Sequence, residues 1–244
     1  MRIACIFKST TIPVSYHYMF AGLIKKAISL SSKEKFEEIY FHEDRKTKRS
    51  KNFVFSVFMK GYELKEEHFE VSGKLKCIIS SSDSELMLYI YNGLLELQEF
   101  RYKGYELVQD RVNFLEEKFP TSSEVVFKTL SPIAMKNKSG RFIAPDDSEY
   151  NQNLNYIANE VLQSARGDGL KEPLVLVPLE MKKQVVKLKH QEFAGLNAKQ
   201  TLYVNAYRGV FRLKGNPEDL ILLVQNGIGF RRNQGFGNVQ LLEG

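Results

Sequence analysis

Near its C-terminus the chain reads Asn226-Gly227-Ile228-Gly229-Phe230-Arg231-Arg232-Asn233-Gln234-Gly235-Phe236-Gly237-Asn238-Val239, four glycines around a polar tip with two adjacent arginines. Glycine accepts positive φ and lets backbone N–H groups come close to a phosphate, and arginine offers charge-assisted donors to the same kind of ligand. Gly227, Gly229, Gly235 and Gly237, with Arg231 and Arg232, therefore fit a loop that holds a nucleic-acid backbone. A glycine-rich hairpin closing a sheet accounts for the stretch equally well. The elements on either side have to separate the two.

Just before the loop, Asn216 caps a short helix with Pro217 at its first position, running through Leu220, Leu222 and Leu223 to Asn226; after it, Val239 to Leu242 is a closing strand. Further upstream, Leu202 to Leu213 is a strand with a turn or bulge at Gly209, and Lys182 to His190 alternates, Val186 and Leu188 facing one way and Val185, Lys187 and Lys189 the other. Asn151 to Ala165 has helical spacing and Glu124 to Leu130 is a strand. The order is strand, helix, strand, strand, helix, strand. The N-terminal half has the same order: strand Arg2 to Phe7, helix Ser15 to Leu30 with Ser15 as N-cap, a polar turn at Ser31 to Phe36, strands Phe53 to Phe58 and Lys74 to Ser80, helix Asp83 to Glu99 despite Gly93, and strand Tyr105 to Phe114. This predicts an α+β fold of two tandem ferredoxin-like (RRM-like, βαββαβ) domains, residues 1–119 and 120–244, divided at Phe119-Pro120. The element order repeats; the sequence does not.

The net charge is +6 and the pI about 9.1, which favours an anionic partner, and the most positive segment is Arg45, Lys46, Lys48, Arg49 and Lys51, five cations in seven residues. The N-terminus turns polar too soon for a signal peptide. The apolar runs at Leu174 to Leu179 and Leu220 to Val224 are too short to span a bilayer, so a soluble, cytoplasmic protein with no membrane partner is expected. Cys5 and Cys77 lie in strands without ligand-like spacing to histidine, which predicts reduced core thiols and neither metal nor other cofactor.

With these segments in order, the chain resembles the CRISPR-associated repeat-processing endoribonucleases of the repeat-associated RNA-binding superfamily. Three stretches carry the resemblance. The first is Phe20-Ala21-Gly22-Leu23-Ile24 with Tyr40-Phe41-His42-Glu43 and Lys51-Asn52-Phe53-Val54-Phe55-Ser56. The second is Phe127-Lys128-Thr129-Leu130-Ser131-Pro132-Ile133-Ala134, and the third is Gly227 through Gly237. The resemblance implies a metal-independent cut of CRISPR repeat RNA, in which a 2′-hydroxyl attacks the adjacent phosphodiester and leaves a cyclic phosphate and a 5′-hydroxyl. It implies His42 as the family's catalytic histidine, a residue type suited to proton transfer. The family's lysine falls at Lys48 counted from His42 and at Lys51 counted back from the strand; Lys51 is preferred because strands hold register better than loops. Where better-known members carry a tyrosine proposed as base, this chain has Lys25. Either His42 serves as base and acid in turn, or Tyr40 or Lys25 fills in.

His17, at the start of the first helix, is the second histidine candidate, with half-buried packing as its alternative. His68 and His190 have no supporting constellation, and Phe53 and Phe55 are more simply core than base-stacking residues. Lys182, Lys183, Lys187, Lys189, Arg45, Lys46 and Arg49 are further phosphate contacts or solvated cations. Repeat RNA is the expected partner, with room for a CRISPR effector complex and a homodimer. A non-catalytic subunit that only holds RNA is the alternative reading; a mononucleotide enzyme is disfavoured, because the glycines match neither the dinucleotide fingerprint nor a P-loop.

Overall fold

The computed structural model describes residues 1–42, 45–46, 51–189 and 201–243. The first half contains β1 (Arg2–Lys8), β2 (Thr11–Pro13), α1 (Tyr16–Ser31), α2 (Lys33–Tyr40), β3 (Phe41–His42), β4 (Arg45–Lys46), β5 (Val54–Met59), β6 (Tyr62–Leu64), β7 (His68–Val71), β8 (Lys74–Ser80), α3 (Ser84–Glu96), β9 (Glu99–Tyr102) and β10 (Tyr105–Phe114). The second contains β11 (Glu124–Thr129), α4 (Tyr150–Arg166), β12 (Val175–Lys189), β13 (Thr201–Lys214), α5 (Pro217–Asn226) and β14 (Val239–Glu243). The main sheets run β5-β8-β1-β10-β9 and β12-β13-β11-β14. With the four core strands of each half numbered in chain order, both have the arrangement 2-3-1-4, which is the tandem ferredoxin-like fold expected from the element order.

The apolar stripe of α1 lands as its period demands, with Met19, Phe20, Leu23, Ile24, Ala27 and Ile28 fully buried against α3 and the first sheet. Phe53 and Phe55 lie in the same core. Cys5 and Cys77 face each other across β1 and β8 as buried free thiols. The second core gathers Phe127, Leu154, Phe211, Leu220 and Leu223. In α5, the Asn216 side chain accepts from the Glu218 N–H at 3.1 Å ahead of Pro217, the cap-and-proline start expected there.

Three local expectations change. Ser31 to Phe36 is no turn: α2 begins at Lys33, with the Ser32 hydroxyl accepting from the Lys35 N–H at 3.1 Å. This helix has no fully buried residue, so the periodic signal that marks α1 is weak in it. Ser15 stands at the N-cap position of α1 without a capping bond. Its hydroxyl instead accepts from the Lys189 N–H at 2.8 Å, joining the two halves. Residues 60–73, between β5 and β8, fold into β6 and β7, which with β2 make a separate three-stranded sheet.

Gly93 is the contact point of α1 and α3: a β-carbon there would stand 1.9 Å from the Ala27 carbonyl oxygen. Gly93→Ala is therefore expected to cost about 1–3 kcal/mol through helix separation, despite alanine's better helix propensity. In thermal unfolding this is a fall of roughly 2–4 °C per kcal/mol. An unchanged midpoint would mean the helices are not held this close.

Candidate active site

Three of the expected catalytic residues come together beside α1 and α2. Lys25 projects from α1 so that its Nζ lies 5.2 Å from the Tyr40 ring centroid and 5.4 Å from that of Phe36. Lys51, just before β5, brings its Nζ to 5.0 Å from the same Tyr40 ring. The quadrupole of one aromatic ring thus receives two ammonium groups, each contact contributing about 0.5–2 kcal/mol. Among the described residues, neither lysine has a carboxylate oxygen within 4.0 Å. Burial, and then the neighbouring charge of Lys25, lowers the Lys51 pKa from its ordinary value. Burial raises that of Tyr40. Lys51 therefore releases its proton more readily than an exposed lysine, whereas Tyr40 keeps its own and makes a poor base.

His42 ends β3, one residue beyond Phe41, whose ring centroid is 6.0 Å from Lys25 Nζ. The backbone pairs Phe41 with Lys46 and His42 with Arg45, putting the start of the basic segment at this site. The side chains of His42, Arg45 and Lys46, and all of Lys48, Arg49 and His190, lie outside the described residues.

His17 is elsewhere. It is 3% exposed, sandwiched between Tyr16 at 4.2 Å and Phe236 at 5.1 Å, and among the described residues its Nδ1 has no hydrogen-bond partner. Burial drives its pKa down to about 3. It is a packed interface residue, which decides its alternative against a role in the lysine cluster.

The glycine-rich loop also has another job than the sequence reading gave it. All four glycines have positive φ, but all four are buried. The N–H groups of Gly227, Gly235 and Gly237 donate to the carbonyls of Leu223, Arg232 and Pro132. They are not phosphate donors. At Gly235 a β-carbon would lie 2.9 Å from Phe55 Cε2 and 3.0 Å from His17 Cδ2, so the loop serves to bring its backbone against the first half of the chain. Arg232 is 5% exposed and donates through Nη1 to the Asn226 carbonyl at 2.5 Å, and burial lowers its pKa to about 10. That removes Arg232 from the expected phosphate contacts. Arg231, half-buried in the left-handed region at φ 62°, stays at the rim.

Of the sheet lysines, Lys189 reaches Glu67 at 2.6 Å and Lys182 reaches Glu180 at 3.3 Å, so both have a carboxylate partner. Lys187 lines a cleft of about 650 Å³ between the two halves, with Arg208, Lys65, Tyr16, Tyr62 and Phe69. Sequence reasoning passed over Arg208, the 60–73 insertion and Lys136. Each lies in a stretch whose pattern marks no ligand site, and only folding gives them neighbours.

These sheets and their shared strand order define a protein of the tandem ferredoxin-like class. A solved structure described as an RAMP protein binding different RNA substrates matches with a TM-score of 0.80 over 100% of both chains, at 20% identity. One described as a Cas6-related gene product of Pyrococcus furiosus also gives 0.80, over 99% of this chain and 98% of its own, at 20% identity. Residues 115–241 match the family CRISPR associated protein Cas6, C-terminal. The chain is also 30% identical over 242 residues to the CRISPR-associated endoribonuclease Cas6 of Pyrococcus furiosus, covering 94% of this chain and 83% of that one. The chain belongs to the Cas6 family.

The buried His17 has a pH signature. Its folded-state pKa, about 3, lies below the ordinary 6.5, so as pH falls below 6.5 the unfolded state takes up a proton that the folded state refuses. Stability attributable to this residue is complete above pH 6.5 and falls by about 1.4 kcal/mol per pH unit on acidification toward 3. Denaturant titrations at pH 6, 5 and 4 should show this component of the slope in the wild type and its absence in His17→Phe. Parallel curves would overturn the buried neutral state.

Proposed function

We propose that this chain is an endoribonuclease that cuts CRISPR repeat RNA by internal transesterification, without a metal ion. The observation that carries the proposal is the pair Lys25 and Lys51 sharing the Tyr40 ring at the root of the segment that begins with His42. Membership of the Cas6 family, with an endoribonuclease as a 30% identical relative, supports the substrate class.

In the proposed reaction His42 takes the proton of the 2′-hydroxyl as its oxygen bonds to phosphorus. The bond from phosphorus to the 5′-oxygen breaks, leaving a 2′,3′-cyclic phosphate and a 5′-hydroxyl. Negative charge grows on the phosphorane oxygens, and the ammonium groups of Lys25 and Lys51 are placed to oppose it. The lowered pKa of Lys51 suits it to hand a proton to the departing 5′-oxygen, after which it recovers one from solvent or from His42. The Tyr40 phenol, held protonated, orients the lysines. In this scheme residues 1–119 cut and residues 120–244 hold the RNA, with Tyr62 and Phe69 of the first half joining Lys187 and Arg208 in a cleft that fits its single-stranded part. A second reading, RNA holding without cleavage, draws on one observation: Lys25 stands where better-known members have the tyrosine.

Labelled repeat RNA incubated in EDTA should be cut by the wild type. His42→Ala and Lys51→Ala should each lose about 10²–10⁴-fold in single-turnover rate. RNA with a 2′-deoxy group at the scissile nucleotide should bind and remain whole. Cleavage of that substrate would overturn the mechanism, undiminished cutting by both variants would overturn the site, and binding without cutting by the wild type would select the second reading.

A further inference from the structure

A second pair of like charges lies two turns of α1 away from the first, from Lys25 back to Tyr18. Lys136 Nζ sits 4.6 Å from the Phe142 ring centroid and 5.4 Å from that of Phe230, and the Arg231 guanidinium sits 5.3 Å from the same Phe230 ring. Among the described residues neither cation has a carboxylate oxygen within 4.0 Å. Burial and then the charge of Arg231 lower the Lys136 pKa, the electrostatic cost of holding two cations together with no anion between them.

The backbone holds both cations in place. The extended segment from Ile133 to Lys136 is stitched on successive sides, Ile133 to Tyr207, Ala134 to Phe230 and Lys136 to Phe142. Arg231 holds a left-handed conformation, φ 62° and ψ 32°, a strain that glycine would avoid. Its side chain donates to the Gln234 Oε1 and to the Tyr18 hydroxyl, while among the described residues its buried Nε has no acceptor. A strained backbone, an unsatisfied guanidinium donor and an uncompensated ammonium converge where two aromatic faces are half-exposed. A surface cation that only needed solvent would require none of these.

We propose that Lys136 and Arg231 clamp a single phosphodiester of the RNA, with Phe142 and Phe230 as walls against which the adjoining bases stack. The planar fork of arginine and the point charge of lysine can hold different oxygens of one phosphate. Tyr18, whose hydroxyl Arg231 contacts, and Lys25 stand seven residues apart on α1, about 10 Å along its axis at 1.5 Å each, so a short run of single-stranded backbone spans the clamp and the cutting site. The clamp rests on the RNA-processing reading and adds to it the positioning of one strand relative to Lys25 and Lys51.

The test is binding of repeat RNA by fluorescence anisotropy across a salt series. The proteins are the wild type, Lys136→Met, Arg231→Met and the double variant; methionine keeps an apolar stem over the rings. Each single variant should bind about tenfold more weakly, with the log–log salt slope lower by about 0.7, the value of one single-strand phosphate. The double variant should lose little more, because both cations serve the same phosphate. Lys136→Arg should restore the slope, and thermal midpoints should stay together. Replacing phosphates one at a time by uncharged methylphosphonates should reveal one position to which the wild type is sensitive and Lys136→Met is not. An unaltered slope in Lys136→Met, or additive losses with twice the slope change in the double variant, would overturn the clamp alone. Failure of the wild type to bind repeat RNA would overturn the RNA-processing function and the clamp with it. The readout is binding, so it tests the clamp whether or not the chain cuts.

Discussion

At Gly235 there is no room for a β-carbon between the loop and the rings of Phe55 and His17, and through this contact the two halves become one body. Around it the joint is polar and mostly paired; among the described residues Arg2 Nε, His17 Nδ1 and Asn238 Oδ1 are buried there without a hydrogen-bond partner. Arg2 donates to the carbonyls of Val224 at 3.1 Å and Val239 at 3.0 Å. The Asn238 N–H donates to the Ser131 hydroxyl at 3.0 Å and its amide to the Ser56 hydroxyl at 3.2 Å. Groups such as Arg2 and Asn238, 7% and 0% exposed, keep their value only while these partners are met, because an unpaired buried donor costs about 1–3 kcal/mol. The loop therefore packs the second half of the chain closely against α1 and the first sheet.

Two groups of cations stand out among the described residues. Lys35, Lys74, Lys171 and Lys189 lie within salt-bridge distance of carboxylates on the surface, where such pairs contribute little to stability. Lys25 with Lys51, and Lys136 with Arg231, instead share aromatic rings. A ring face steadies a cation without neutralising it, so the attraction for an incoming phosphate is kept. A carboxylate in the same place would hold the lysine equally well and cancel that attraction.

The element order and the α1 stripe were legible because each depends on neighbours close in the chain or on a strict period; Lys25 was singled out only through the family resemblance, and its place beside Tyr40 is a tertiary contact. Strand β12 begins at Val175, well before the alternation at Lys182, since its early part passes a bulge at Pro178 and Glu180 that breaks the two-residue period. Helix α2 was missed for want of a buried face. The glycine loop was recognised as important for a reason the fold replaced: glycine permits close approach, and the partner that approaches is Phe55, 180 positions earlier.

The sequence by itself determined that there are two units of one architecture, which faces of their helices are buried, and that cations gather beside Tyr40. These follow from local periodicity and charge. Only the tertiary structure decided that Arg231 is half-buried while Arg232 is buried, that Lys189 is matched by Glu67, and that Lys136 joins Arg231 across nearly 100 residues. Adjacent arginines are chemically identical in the chain. They differ once folded: Arg231, in a left-handed turn, stays half-buried beside Gln234 and Tyr18, while Arg232 enters the joint, where desolvation and a carbonyl acceptor claim it.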